Sequence, residues 1–260
     1  MNQAPGPAIP AAKNLLGDEA IFYLLALPAL KKQFHHVLVQ QCGSLPRPAT
    51  GPLILYLNHS SWWDGYLMML CHRRLLGRRF SSYLLMEEKQ LRDYRFFAWC
   101  GAFSINRHDP ADVQRSLDYI SGLLRRRRER ALFIFPQGKI VHPDRRPLET
   151  YSGVARIALA LEQATLCPLV FRYEFGGRQK ATAYIRIGPS WRLDPTSAAD
   201  HELQHLLDRI TADLAAQCDH LRDDVVAGRH RRFAPLLRGN RGIDERFDIL
   251  LKLWRRARAR

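Results

Sequence analysis

From about residue 50 onward, short apolar runs alternate with longer segments in which apolar positions recur every three or four residues. The strand-like runs fall at 53–57, 83–86, 102–105, 132–135, 166–171 and 184–187. Helical periodicity lies between the earlier ones, at about 63–73, 87–98, 110–128 and 150–163. Strands alternating with helices predict an α/β domain with a mostly parallel central sheet flanked by helices. Sites in such sheets gather beyond the carboxyl ends of the strands, so the polar stretches that follow apolar runs are where chemistry is sought first.

Two flanking segments depart from this rhythm. Residues 1–50 carry the longest apolar run, AIFYLLALPAL at 20–30. As a helix it would rise roughly 16 Å, about half of a hydrocarbon core, too short to span a bilayer. It reads either as a helix buried at one end of the domain or as a segment lying in a membrane interface. From about 198 the chain turns helical and then strongly basic, an extension of the same domain. The organisation expected is therefore an N-terminal helical segment that is a candidate for membrane contact (1–50), an α/β core (51–197) and a basic helical extension of the same domain (198–260).

Forty Lys and Arg against twenty-five Asp and Glu give a net charge of +15, which favours a polyanionic partner: nucleic acid, an anionic membrane surface or an acidic carrier protein. No helix-turn-helix, zinc finger or base-stacking strand motif is present, so nucleic acid is not expected as a partner. The cysteines, Cys42, Cys71, Cys100, Cys167 and Cys218, are odd in number, widely spaced and without a C-x-x-C pair. They argue against a disulfide framework and a zinc knuckle and suit a reducing compartment. The opening MNQAPGPAIPAAK lacks the order of a signal peptide.

The octapeptide NHSSWWDG, residues 58–65, follows the run GPLILYL. In one continuous helix His59 and Asp64 would lie about 140° apart and could not meet. They meet if His59 sits in the turn before the helix, with Ser60 or Ser61 as N-cap and Asp64 in the first turn facing back. Ser61 to Asp64 also has the form of a capping box that needs no chemistry. On the octapeptide alone both readings stand, and on the capping reading the chain would be a non-catalytic basic protein that binds membrane or nucleic acid.

Three later segments extend the pattern: GAFSINR at 101–107, FPQG at 135–138 and CPLV at 167–170. In this order, after HSSWWD, they make the chain resemble the glycerolipid (1-acylglycerol-3-phosphate / lysophospholipid) acyltransferase family over roughly residues 50–190. The blocks of that family are H-x-x-x-x-D, a glycine followed six residues later by arginine, F-P-E-G, and a proline after a short apolar strand. The resemblance implies a membrane-associated O-acyltransferase of lipid metabolism and phospholipid biosynthesis. It would carry a fatty acyl group from an acyl-CoA or acyl carrier protein thioester to a hydroxyl of a lipid acceptor, a lysophospholipid or glycerophosphate lipid, without an acyl-enzyme step. His59 would be the general base and Asp64 would orient and stabilise its imidazolium, as the aspartate does in a hydrolase triad. Ser60 and Ser61 would then not be nucleophiles. Arg107 would bind an anionic head group and Gly138 would let backbone approach the substrate. The bland alternatives are a salt bridge of Arg107 with nearby Asp109 or Asp112 and a simple turn at Gly138 after Pro136.

There is one departure. Where the family has glutamate, glycine and threonine, this chain has Gln137, Gly138 and Lys139. An amide that both donates and accepts replaces a carboxylate, which opens the acceptor to a glycosylated or polyol lipid. Arg107, Gln137, Gly138 and Lys139 are the expected acceptor-binding set. No metal and no bound cofactor is expected, because a thioester co-substrate brings its own activation.

Two further features compete for attention. HELQH at 201–205 has the spacing of a zinc hydrolase helix. Both histidines, however, fall about 160° from Leu203 on the wheel, opposite the stripe of Leu206, Leu207, Ile210, Leu214 and Leu221, and should face water. At 244–260, Phe247, Leu250, Leu251 and Trp254 line one helical face and Lys252 and Arg256 the other. Such a helix suits an anionic bilayer surface or docks on its own domain with a solvated basic face. The Arg125 to Arg128 run closes a helix where positive charge suits the dipole. The expected placement is peripheral or monotopic, on the cytoplasmic side of a membrane.

Overall fold

The computed structural model describes residues 6–161, 163–193, 202–243, 247 and 254. Among the described residues nine strands form one sheet: β1 (Phe34–Gln41), β2 (Leu53–Leu57), β3 (Ser81–Glu87), β4 (Ala102–Ile105), β5 (Arg130–Ile134), β6 (Thr165–Glu174), β7 (Ala181–Ile187), β8 (Trp191–Arg192) and β9 (Ala234–Arg238). Their order is β4-β3-β5-β2-β6-β7-β1-β9, with β8 pairing the start of β6. From β4 to β6 every neighbour is parallel; β7 runs antiparallel to β6, β1 parallel to β7, and β9 antiparallel to β1.

Strand β2 shows how the sequence makes this layer. LILYL is apolar at every position, and all five residues are buried. Because side chains alternate, Leu53, Leu55 and Leu57 join one core while Ile54 and Tyr56 join the other. A strand apolar on both faces must be covered on both, as parallel strands are. One face is covered by the π turn at Ile21–Ala26, which follows helix α1 (Leu15–Ala20), and by α2 (Leu27–Gln33) and α3 (Asp64–Cys71). The opposite face packs against α5 (Pro110–Arg126), α6 (Gly153–Leu161) and α7 (Leu203–Val226). A short α4 (Glu88–Asp93) follows β3 at the sheet end. Helix α5 begins where Asp109 accepts from Ala111 N at 2.9 Å and Pro110 opens the first turn.

The fold agrees with the expected α/β class, and β2 and β4 coincide with the runs at 53–57 and 102–105. Two strands in the flanks were not foreseen. In β1, Phe34, Val37 and Val39 are buried, with a register shift between Phe34 and His36 that interrupts the alternation. In β9 the sequence APLLR holds a proline and lies at the sheet edge, where a missing N–H is tolerated. The 20–30 run proves two-faced: Ile21, Phe22, Ala26 and Leu30 are buried, while Tyr23, Leu24 and Leu25 are exposed. Of HELQH, His201 lies outside the described residues and His205 is exposed. The amphipathic pattern at 244–260 also lies outside them, except for Phe247 and Trp254, both exposed.

Candidate active site

Strand β2 sits at the point where the chain changes direction across the sheet, with β5 on one side and β6 on the other. A crevice opens beyond the carboxyl ends at such a point. Asn58 leaves β2 and copies a strand residue with its side chain: Nδ2 donates to Phe171 O at 3.0 Å, and Oδ1 accepts from Phe171 N at 2.7 Å. The turn after β2 is thereby fixed to β6.

His59 and Asp64 meet in that turn. His59 Nδ1 lies 2.8 Å from Asp64 Oδ2. Because a carboxylate only accepts, the contact makes Nδ1 the protonated nitrogen and leaves Nε2 as the acceptor. The Asp64 side chain is fully buried, whereas that of His59 is 24% exposed. Asp64 Oδ2 also accepts from Ser60 N at 2.7 Å and Ser61 N at 2.8 Å, and Asp64 Oδ1 accepts from the hydroxyl of Tyr173 on β6. A buried carboxylate is tolerable only with such partners, and here both oxygens have them.

The expected cap is corrected by this geometry. Helix α3 starts at Asp64 itself, its N-cap is Trp63, and no side chain caps it. Ser60 and Ser61 do not cap the helix by side chain; their N–H groups donate to Asp64, and Ser61 Oγ accepts from Trp63 N at 3.2 Å. A residue serving only as a helix cap partner would not also hold an imidazole.

The remaining motifs converge from neighbouring strand ends. After β5, Gln137 is buried and its Oε1 accepts from His59 N at 2.8 Å. Phe135 packs its ring against the His59 imidazole, centroids 4.5 Å apart. Val141 N then donates to His59 O at 2.8 Å, so both backbone groups of the histidine are held by the segment after β5. Gly138 adopts φ +64°, and a Cβ there would lie 2.8 Å from the Tyr151 ring and 3.0 Å from Arg107. Its glycine is required both by the turn and by the close approach.

Arg107, beyond β4, donates through Nε to Glu87 at 2.8 Å and through a terminal nitrogen to Gly138 O. Its ion pair is therefore with Glu87 and with neither of the nearby aspartates. Asp109 caps α5, and Asp112 accepts from Asn106 N at 2.7 Å and pairs with Arg115 at 3.0 Å. Beside this turn an open cavity of about 140 Å³ is lined by Gln137, Lys139, Val141, Arg145, Glu149 and Tyr151 among others. Lys139 is exposed on its rim.

The strap from Lys139 to Tyr151 is tied down at several points. Asp144 takes both terminal nitrogens of Arg172 on β6, at 2.6 and 3.2 Å, and Arg146 reaches Asp219 on α7 at 2.5 Å. The Arg172 hydrogen bonds hold the Asp144 carboxyl below its ordinary range. All five cysteines are free, and burial pushes each thiol upward, Cys167 and Cys218 to about 12. None is poised as a thiolate. Among the described residues no group of three or more His, Cys, Asp or Glu could hold a metal.

Asn58, Glu87 and Tyr173 escaped the sequence reading. Asn58 stood inside the quoted octapeptide, but its partner is 113 residues away. Tyr173 continues the buried face of Leu169 and Phe171 at period two, which marks its side but not its hydroxyl's target.

The family described as acyltransferase matches residues 36–172, more than half of the 260. The chain belongs to the acyltransferase family. It is an acyl-transferring enzyme, in agreement with the four motif blocks. The matched span contains β2 to β5, most of β1 and all of the turns that meet at His59. Among solved structures it is similar to the crystal structure of the 1-acyl-sn-glycerophosphate (LPA) acyltransferase PlsC from Thermotoga maritima. That protein is 14% identical, with a TM-score of 0.48 and coverage of 71% of this chain and 73% of that one. No curated protein matches.

Proposed function

We propose that this acyltransferase moves a fatty acyl group from an acyl-CoA or acyl carrier protein thioester to a hydroxyl of a lysophospholipid or glycerophosphate lipid. The observation that carries the reading is the 2.8 Å contact between His59 Nδ1 and the fully buried, fully engaged Asp64. With Nδ1–H donating to Asp64, Nε2 accepts the acceptor's hydroxyl proton as the oxygen attacks the thioester carbonyl. The tetrahedral intermediate collapses by breaking the C–S bond, and the imidazolium returns its proton to the departing thiolate. Asp64 stabilises the imidazolium between these steps. No side chain need become acylated, which fits the unactivated thiols.

Arg107, Gln137, Gly138 and Lys139 form the acceptor side of this reading. Gln137 places His59 by its backbone, and Lys139 with Arg145 adds positive charge to the adjacent cavity. A second reading, a glycosylated or polyol acceptor, is favoured by the pairing of Arg107 with Glu87 and by the neutral amide at 137. A site with less free positive charge and a two-way hydrogen-bonding group suits hydroxyls. Thiol release with long-chain acyl-CoA and acyl carrier protein, against a panel of lysophospholipids and glycolipids with product masses, separates the two. Turnover of glycolipids alone would overturn the first reading, and turnover of lysophospholipids alone the second.

Membrane contact on the cytoplasmic side belongs to the same proposal. No described helix is long and apolar enough to cross a membrane. The exposed Leu16 and Leu24, 83% and 79% accessible, lie with Tyr23 on the outer face of the N-terminal helices, in a chain of net charge +15. Apolar side chains beside positive charge suit an anionic bilayer surface. Replacing Leu16 and Leu24 by glutamate should lower sedimentation with anionic liposomes; unchanged sedimentation would move the contact elsewhere.

A further inference from the structure

Tyr173 is the one described side chain that holds the Asp64 oxygen left free by His59. Three observations fix it there. The Asn58 clamp on Phe171 sets the height of β6 relative to the turn, and two residues further on the same face comes Tyr173. Its ring stacks on Phe34 of β1, centroids 5.7 Å apart and planes 23° apart, and Phe34 in turn meets Trp63 edge-on at 5.6 Å. Its hydroxyl donates to Asp64 Oδ1, whereas His59 bonds to Oδ2. The residues on either side of it in β6 are engaged elsewhere, Arg172 pairing with both Asp144 and Glu174.

We propose that Tyr173 is a positioning residue of acyl transfer, one that fixes the Asp64 carboxylate by Oδ1 and sets how strongly Oδ2 draws on the His59 imidazole. The inference rests on His59 acting as the base. Of the two Asp64 oxygens, Oδ2 already carries three donors, from His59, Ser60 and Ser61. Without the phenol, Oδ1 would be a buried acceptor with no partner among the described residues. The carboxylate's charge would then fall more heavily on the imidazolium, which would make Nε2 a stronger base and a poorer proton donor to the leaving thiolate. The charged and titratable groups that act on the phenol are Asp64 and Cys71, at the two ends of α3, and Ser61 Oγ hydrogen-bonds with it from the turn. Burial and the Asp64 charge push the phenol well above its ordinary value, and the buried Cys71 thiol is pushed up too, so both keep their protons.

The test is the pH dependence of kcat/KM for thiol release in wild type, Tyr173→Phe and His59→Ala. In Tyr173→Phe the acid limb should move to higher pH by about one unit, because one hydrogen bond to a charged group is worth about that much. kcat should fall roughly 10- to 100-fold, with KM for both substrates within about twofold. A limb that stays in place, or a loss confined to KM, overturns the proposal. If Tyr173→Phe does not fold, 2,3-difluorotyrosine placed at 173 supplies a stronger donor of almost the same shape. The limb should then move to lower pH, and no movement overturns the proposal. His59→Ala keeps the two ideas apart. Turnover surviving there removes the base on which the inference rests. A dead His59→Ala beside an unmoved Tyr173→Phe limb removes only the role of Tyr173.

Discussion

Two histidines bracket one short helix and show how the same side chain is used in opposite ways. His59 lies just before α3, with Nδ1 on a buried carboxylate and its ring at the open strand ends. His72 follows Cys71, the last residue of α3, and is buried: Nε2 donates to Phe80 O at 2.8 Å, while Nδ1 faces Ser82 Oγ at 3.4 Å. Ser82 Oγ in turn accepts from Lys13 Nζ at 3.1 Å. Burial first, and then the nearby Lys13 and Arg73 charges, press His72 down to about 4, although the Phe80 carbonyl and Asp18 act the other way. What separates a base from a structural imidazole here is a carboxylate on one nitrogen and access to the other. His72 has neither, and it ties the end of α3 to Phe80 and Ser82 at the start of β3, where Lys13 also anchors the N-terminal segment.

The widest gap between the two should appear on truncation. His59→Ala is expected to lower kcat for thiol release by roughly 10²- to 10⁴-fold with little change in denaturant midpoint, since the ring is partly exposed and Asp64 Oδ2, on losing it, keeps the Ser60 and Ser61 N–H donors. His72→Ala should do the reverse. It loses a buried ring and leaves the Phe80 carbonyl without its donor, a cost of about 2–4 kcal/mol in stability, while kcat per folded molecule stays within about twofold. Equal behaviour of the two variants would dissolve the contrast.

The acid side of the stability curve sharpens it next. The folded value of His72, about 4, lies below its unfolded value near 6.5, so as pH falls the unfolded chain takes the proton first. Stability from this group is whole above about pH 6.5 and declines by about 3 kcal/mol toward pH 4. Denaturant midpoints over that window should fall in wild type and fall less in His72→Gln. Parallel curves would mean that His72 is not buried neutral.

The smallest effect belongs to the strap. Asp144 is depressed by Arg172, so its contribution is present above the unfolded carboxylate value near 3.9 and is lost as pH falls through its lower folded value. The pair is partly exposed, and Asp144→Asn should cost a few tenths to about 1 kcal/mol. A rise in acceptor KM with an unchanged donor KM would show that the strap forms the acceptor wall; equal rises would make it general scaffold.

How much of this could be read beforehand depended on the range of the interaction. Leu53 to Leu57 declared a doubly covered strand because burial on both faces leaves its mark on every residue. His59 and Asp64 could be paired because they are five apart and the turn between them is local. The strand β1 was hidden by its irregular alternation, and β9 by its dependence on an edge that other segments build. Arg107 was found, but its partner Glu87 was not, because that pair joins two parallel strand ends across twenty residues. Tyr173 and Asp64 are separated by 109 residues, and no local pattern announces where a phenol on a buried face will point.

The account stands on His59 and Asp64 acting as one unit, and a double-mutant cycle measures that directly. kcat for thiol release, with one long-chain acyl thioester and one acceptor, would be compared in wild type, His59→Ala, Asp64→Asn and the double variant. Residues that work only through each other are strongly non-additive, so the double variant should be no slower than His59→Ala alone. Losses that multiply, with Asp64→Asn slowing a protein that already lacks the imidazole as much as it slows wild type, would contradict it.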